Sequence, residues 1–75
     1  MNELLEVTEV AKRLKCNKNK VYELIKSGLL QGLKLGRMKV STMELDNFLV
    51  RNVGKDLTDP YNVKEIDGSN PSREY

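Results

Sequence analysis

The sequence predicts one small, mostly α-helical domain of three short helices and a basic β-hairpin. A 75-residue chain has room for one domain. Two successive segments carry apolar residues at helical spacing, and a third alternates before a helix-capping motif. Leu, Ile, Val and Phe make up 18 of the first 53 residues but only 3 of the last 22. We therefore predict a folded domain at 1–53 and an acidic, flexible tail at 54–75.

The first helix is predicted from an apolar stripe. Apolar residues stand at i, i+3, i+4 and i+7, at Val7, Val10, Ala11 and Leu14. This spacing places them on one face of a helix over about 7–14, with Glu6 near its N-cap.

The second helix follows a short break at Lys15-Cys16-Asn17. Asn17 is a good N-cap, and Ser27-Gly28 ends the pattern because Gly readily takes the left-handed position after a helix. The predicted buried stripe consists of Val21, Leu24 and Ile25. Cys16 is either a reactive thiol or a small hydrophobe that fills a gap in the core, and we favour the second interpretation.

From Leu33 onward the pattern alternates, which predicts a hairpin. A Gly36-Arg37 pair between alternating runs favours a two-residue type II′ turn with Arg37 at its tip. That register places Lys34 opposite Lys39 on an outward face. Facing like charges are destabilising unless an anion lies near them, although flexible lysines can also move apart.

A capping box, Ser41 to Glu44, predicts the third helix. The Ser hydroxyl and the Glu carboxylate would each accept a backbone hydrogen bond at the other's position. The predicted apolar face comprises Leu45, Phe48 and Leu49, with Gly54 as the stop. In the tail, Asp59 as N-cap and Pro60 at the first position suggest a helical turn or two that ends at Gly68, before an unstructured stretch from Ser69 to Tyr75.

Charge narrows the classes of function. Residues 12–39 carry nine Lys or Arg against Glu23 alone, a local charge of +8 within a chain of net charge +2. Such concentration favours a polyanionic partner, and a solvated basic surface is the plain alternative. With no His and one Cys, we expect no catalytic residues, no metal site and no cofactor. No apolar run approaches the roughly 18 residues needed to cross a bilayer, and the N-terminus lacks the pattern of a secretory signal. We therefore expect a cytoplasmic protein without a membrane partner.

This order of elements predicts a winged helix-turn-helix that binds double-stranded DNA. The second helix fits the major groove, and the hairpin, or wing, fits the minor groove or the phosphates beside it. The predicted helix contacts are Asn17, Lys18, Asn19, Lys20, Tyr22, Glu23 and Lys26. The predicted wing contacts are Lys34, Arg37 and Lys39, and further backbone contacts are Lys12, Arg13 and Lys15.

The same segments resemble a known family. Leu4 to Leu14 (LLEVTEVAKRL), Asn17 to Leu30 (NKNKVYELIKSGLL), Lys34 to Arg37 (KLGR) and Glu44 to Leu49 (ELDNFL) resemble the excisionase-type branch of the MerR-like winged helix-turn-helix family over about residues 4–52. The resemblance implies a DNA-binding protein of a bacterium, phage or mobile element. It assigns groove contacts to Lys18, Asn19, Tyr22 and Glu23, together with the wing contacts already named.

Two classes of function follow. The leading hypothesis is an excisionase-like architectural protein or a compact transcriptional regulator, which the position of its DNA sites would distinguish. Neighbouring copies on DNA and an integrase or RNA polymerase are the expected further partners. The alternative is an interaction adaptor, in which the scaffold and the acidic tail dock on an integrase or polymerase.

Overall fold

The computed structural model describes residues 2–66 and confirms the winged helix-turn-helix architecture. Its elements are β1 (Leu4–Glu6), α1 (Val7–Leu14), α2 (Lys18–Lys26), β2 (Leu33–Leu35), β3 (Arg37–Ser41), α3 (Thr42–Arg51), β4 (Lys55–Asp56) and β5 (Lys64–Glu65). The first three strands form one antiparallel sheet in the order β1-β3-β2, and the last two form a separate pair. None of the helices within 2–66 has the length and apolar character needed to span a membrane.

The core lies where α1, α2 and α3 meet the inner face of β3. Four side chains are completely enclosed, namely Val10, Val21, Leu30 and Val40. Leu45 and Phe48 of α3 complete the core from the other side. Residues three or four apart on a helix share a face, so each short helix contributes one stripe and leaves its opposite face to solvent.

The bounds predicted for α1 and the caps predicted for α2 are confirmed. Lys15 takes the left-handed conformation at φ 59° after α1, and the Cys16 N–H donates to the Ala11 carbonyl at 3.0 Å. The Asn17 Oδ1 accepts a hydrogen bond from the Lys20 N–H at 2.8 Å. Gly28, at φ 88°, ends α2 where the sequence placed the stop.

Strand β1 was not predicted. It pairs antiparallel with β3, with Leu5 opposite Val40 and Glu6 opposite Lys39. Three residues are too few to show alternation, and this strand exists because a partner strand more than thirty residues away offers its edge.

The predicted register of the wing is wrong by one residue. Leu33, not Lys34, lies opposite Lys39, and Lys34 lies opposite Met38. The turn is centred on Gly36 alone, at φ 74°, so Arg37 is the first residue of β3 rather than the tip. The proposed repulsion between facing lysines therefore does not exist, because a slip of one residue moves each side chain to the other face.

The cap of α3 is confirmed in one half only. The Ser41 Oγ accepts from the Glu44 N–H at 3.0 Å. The Glu44 carboxylate does not return to Ser41 but accepts from the Gln31 N–H at 3.0 Å and from the Arg51 guanidinium. Leu49 was predicted on the apolar face and is exposed, and α3 ends at Arg51, three residues before Gly54.

The helical turn predicted after Asp59 is wrong, since β4 and β5 form a hairpin there. The Asp59 Oδ1 accepts from the Tyr61 N–H at 3.1 Å, which makes a turn instead of a helix cap. The Ile66 N–H donates to the Gly54 carbonyl at 2.9 Å and closes the hairpin, while the half-buried Leu57 packs against the core. The expected end at Gly68 and the stretch from Ser69 lie outside the described residues.

Candidate nucleic-acid interface

The outward face of α2 is polar and exposed. Lys18, Asn19, Tyr22 and Lys26 are exposed, whereas Val21 and Leu24 are buried beneath them. The separation follows from the sequence, because the apolar residues recur at spacings of three and the polar ones occupy the positions between. This helix can therefore present side chains to a partner while its opposite face anchors it to the domain.

A cleft of about 370 Å³ lies between α2, the start of α1 and the base of the wing. Its lining consists of Glu6, Val7, Thr8, Lys18, Tyr22, Arg37 and Met38. The cleft thus joins Lys18 and Tyr22 of the predicted recognition helix with Arg37 of the predicted wing. The sequence did not single out Thr8 or Met38, because no local pattern shows which residues of α1 and β3 border the cleft.

Glu6 holds the base of the wing through two cations. The Lys39 Nζ lies 2.8 Å from its Oε2, and an Arg37 guanidinium nitrogen lies 4.0 Å from its Oε1. The hydrogen bond from Lys39, followed by the charges of Lys39 and Arg37, lowers the pKa of Glu6 below its ordinary value. The Lys39 side chain is only 18% exposed, whereas that of Arg37 is 83% exposed. Of the two wing residues that contact Glu6, Arg37 is the one that faces outward.

Lys20 points to the chain's own C-terminal hairpin. Its Nζ lies 3.0 Å from the Glu23 Oε1 and donates to the Thr58 carbonyl at 2.7 Å. The sequence predicted a DNA contact for this lysine, and the structure places its ammonium group between two oxygens of the protein.

The remaining predicted residues are divided between the interface and the periphery. Lys26 and Lys34 are exposed and pair with no carboxylate within residues 2–66. Lys12 and Lys15 are exposed, while Arg13 pairs with Glu9 at 3.2 Å. None of the residues Lys12, Arg13 and Lys15 lines the cleft.

The candidate metal ligands and the one cysteine were located in the described part of the chain. Among residues 2–66, no three His, Cys, Asp or Glu side chains come together as a metal site. Burial raises the pKa of the Cys16 thiol, which keeps it in the less reactive protonated form. Cys16 packs against the core, as predicted for a small hydrophobe.

Of three comparisons with known proteins, the one against family models gives a match. The searches of curated proteins and of solved structures gave no significant match. The family model described as a helix-turn-helix domain matches residues 4–52, which cover α1, α2, the wing and α3. The chain therefore belongs to this helix-turn-helix domain family, which supports DNA binding as its general function.

Proposed function

We propose that this protein binds double-stranded DNA sequence-specifically, as an excisionase-like architectural factor or a compact transcriptional regulator of a phage or mobile element. The observation that carries the proposal is the cleft in which Lys18 and Tyr22 of α2 lie with Arg37 of the wing. A helix beside a cationic hairpin matches a duplex, since the major groove admits the helix and the neighbouring backbone takes the cations.

In this arrangement α2 supplies the contacts that select the sequence. Asn19 lies on the exposed face and can pair with the N6 and N7 edge of adenine. The Glu23 Oε1 lies 3.0 Å from the Lys20 Nζ, and the Glu23 Oε2 can accept from a cytosine amine. Tyr22 offers an exposed ring to a thymine methyl group and a hydroxyl to phosphate.

The lysines and Arg37 supply affinity without selecting sequence. Lys18 and Lys26 flank the exposed face of α2, while Lys34 and Arg37 extend from the wing toward the minor groove or its phosphates. If these four cations each contact one phosphate, a plot of log binding constant against log salt concentration should have a slope of about −3.6.

The test measures DNA affinity over a range of salt concentrations, on a site selected from random duplexes. Lys18→Gln combined with Arg37→Gln should reduce the salt slope by about two units and weaken binding to every sequence. The matched control, Lys55→Gln with Lys64→Gln, removes the same charge from β4 and β5, outside the cleft, and should leave the slope near that of the wild type.

Sequence selection provides the second half of this test. Asn19→Ala should change the preferred base at one position by about 1–3 kcal/mol. Equal salt slopes in the cleft and control variants, or a selected site that Asn19→Ala leaves unchanged, would count against the proposal. Mapping the bound sites on the host DNA separates the two roles, since an excisionase-like factor binds beside an attachment site and a regulator binds over a promoter.

An interaction adaptor that docks on an integrase or polymerase is the second candidate. The end of α3 favours it, because Leu49, Val50 and Val53 are exposed apolar side chains close together in the chain. A wild-type protein that shows no preference among random duplexes would support the adaptor over the DNA reader.

A further inference from the structure

The hairpin of β4 and β5 is fixed beside the recognition helix. Leu57, in the loop after β4, packs against the core, and Pro60 in the same loop is buried. The connection to α2 is made by Lys20, whose Nζ donates to the Thr58 carbonyl at 2.7 Å. These contacts place the loop of the hairpin along one side of α2.

Lys18 and Lys20 occupy different sides of this helix. Each residue is rotated by about 100° around the helix axis relative to the one before it. Two side chains that are two residues apart therefore point about 200° apart, on nearly opposite sides. Lys18 faces the cleft with Arg37, whereas Lys20 faces Thr58. The exposed face of α2 is therefore bordered by the wing on one side and by the C-terminal hairpin on the other.

The contact with Thr58 is locally organised. The Asp56 Oδ1 accepts from the Thr58 N–H at 2.9 Å and from its Oγ1 at 2.6 Å, which holds this turn in one shape and sets the direction of the Thr58 carbonyl. An ammonium group has three donors, and Lys20 directs two of them to Glu23 and Thr58. Its side chain is 33% exposed as a result.

The charge of the hairpin does not favour phosphate contacts. Residues 54–66 contain two lysines and three carboxylates, at Lys55, Asp56, Asp59, Lys64 and Glu65. A segment with one excess negative charge is repelled by a DNA backbone. The hairpin can form the border of the interface but adds no cationic surface to it.

We propose that Lys20 is a positioning residue that tethers the C-terminal hairpin to the side of α2, so that DNA reaches the helix from the side of Lys18 and the wing. The tether itself is a property of the free protein. Its effect on the approach of DNA rests on the proposed DNA-binding function.

The experiment compares Lys20→Met with Lys18→Met in the full chain, since both changes remove an ammonium group and retain an unbranched side chain. The first readout is amide hydrogen exchange without DNA at Thr58, Asn62 and Ile66, whose N–H groups bond within the hairpin. Loss of the tether should accelerate exchange there about three- to tenfold in Lys20→Met and leave Lys18→Met unchanged.

The second readout is the salt slope of DNA binding. Lys18→Met should reduce it by about one unit, and Lys20→Met should leave it near the wild-type value. If amide hydrogen exchange in the hairpin is unchanged in Lys20→Met, the tether is overturned. If Lys20→Met instead reduces the salt slope by one unit, the tether is also overturned, because the lysine would then contact phosphate. If the wild type binds no DNA, the proposed function fails while the exchange measurement still decides the tether.

Discussion

Glu44 joins the connection before the wing to α3. Its carboxylate accepts from both terminal nitrogens of Arg51, at 2.6 and 3.2 Å, and from the Gln31 N–H at 3.0 Å. The same guanidinium donates to the Leu29 carbonyl at 3.1 Å. A two-pronged pair of this kind fixes direction as well as distance, so it sets the path by which the chain leaves α2 and enters β2.

This pair predicts a specific response to acid. The hydrogen bond from Arg51, and then that from the Gln31 N–H, holds the pKa of Glu44 below its ordinary 4.5. A carboxyl whose pKa is lower in the folded state stabilises the fold above its unfolded pKa, and the contribution is lost as pH falls through the folded value. Glu44→Gln should therefore melt below the wild type at pH 6, with the gap closing below about pH 4.5.

Thermal melting from pH 3 to pH 7 measures this gap. Arg51→Gln is the matched variant, since it removes the largest cause of the lowered pKa and should show the same narrowing of the gap at low pH. A gap of equal size at pH 3 and pH 6 would show that the carboxylate charge contributes nothing to stability.

Gly32, the residue before β2, lies in a tightly packed position. A Cβ at this position would lie 2.7 Å from the Met38 Sδ and 3.2 Å from the Ile25 Cγ2. The backbone therefore passes closer to these two side chains than any other residue type permits without a shift. This close approach brings the chain before β2 against Ile25 of α2 and Met38 of β3.

At the level of elements, β1 links the wing to the core. Its Leu5 is buried opposite Val40 of β3, and its Glu6 lies opposite Lys39 at the base of the wing. The neighbouring Leu4 points to the other face of the sheet and is exposed. One three-residue strand thus provides both an apolar anchor and the carboxylate that organises Lys39 and Arg37.

Leucine truncations test this strand. Leu5→Ala should lower the free energy of unfolding by about 2–3 kcal/mol, because it leaves a cavity between β1 and the helices. Leu4→Ala makes the same chemical change on the exposed face and should cost about 0.5 kcal/mol or less. Urea unfolding measures both, and similar losses in the two variants would mean that β1 is not part of the stable sheet.

At the scale of the whole molecule, the exposed face of α2 lies between two hairpins. The wing places Arg37 on the cleft, and the C-terminal hairpin contacts Lys20 on the other side. The half-buried side chain of Leu57 packs this second hairpin against the core of the domain. Residues 54–66 are thereby expected to contribute to stability as well as to the shape of the interface.

Two truncations test that expectation. A chain that ends after residue 53 loses Leu57 and the buried Pro60, and it should be less stable than the full chain by about 1–2 kcal/mol. A chain that ends after residue 66 keeps both hairpins and should unfold at nearly the same urea concentration as the full chain. Equal stability of the two truncated chains would instead support a domain that is complete at residue 53.

The sequence by itself determined the bounds of α1, the caps of α2 and most of the buried stripe of each helix. Val7, Val10 and Ala11 define the inner face of α1, and Asn17 and Gly28 mark the ends of α2, because such signals act between residues within about four positions. The concentration of lysines and the polar face of α2 can likewise be identified from the sequence.

Only the tertiary structure decided the register of the wing, the strand β1 and the roles of individual cations. Lys39 pairs with Glu6 33 residues away, and Lys20 bonds to Thr58 38 residues away. No local pattern encodes such partners, since they depend on how the packed elements bring distant side chains together. For the same reason, the sequence showed where along the chain the lysines are concentrated but could not tell which of them face outward and which bond to other groups of the protein.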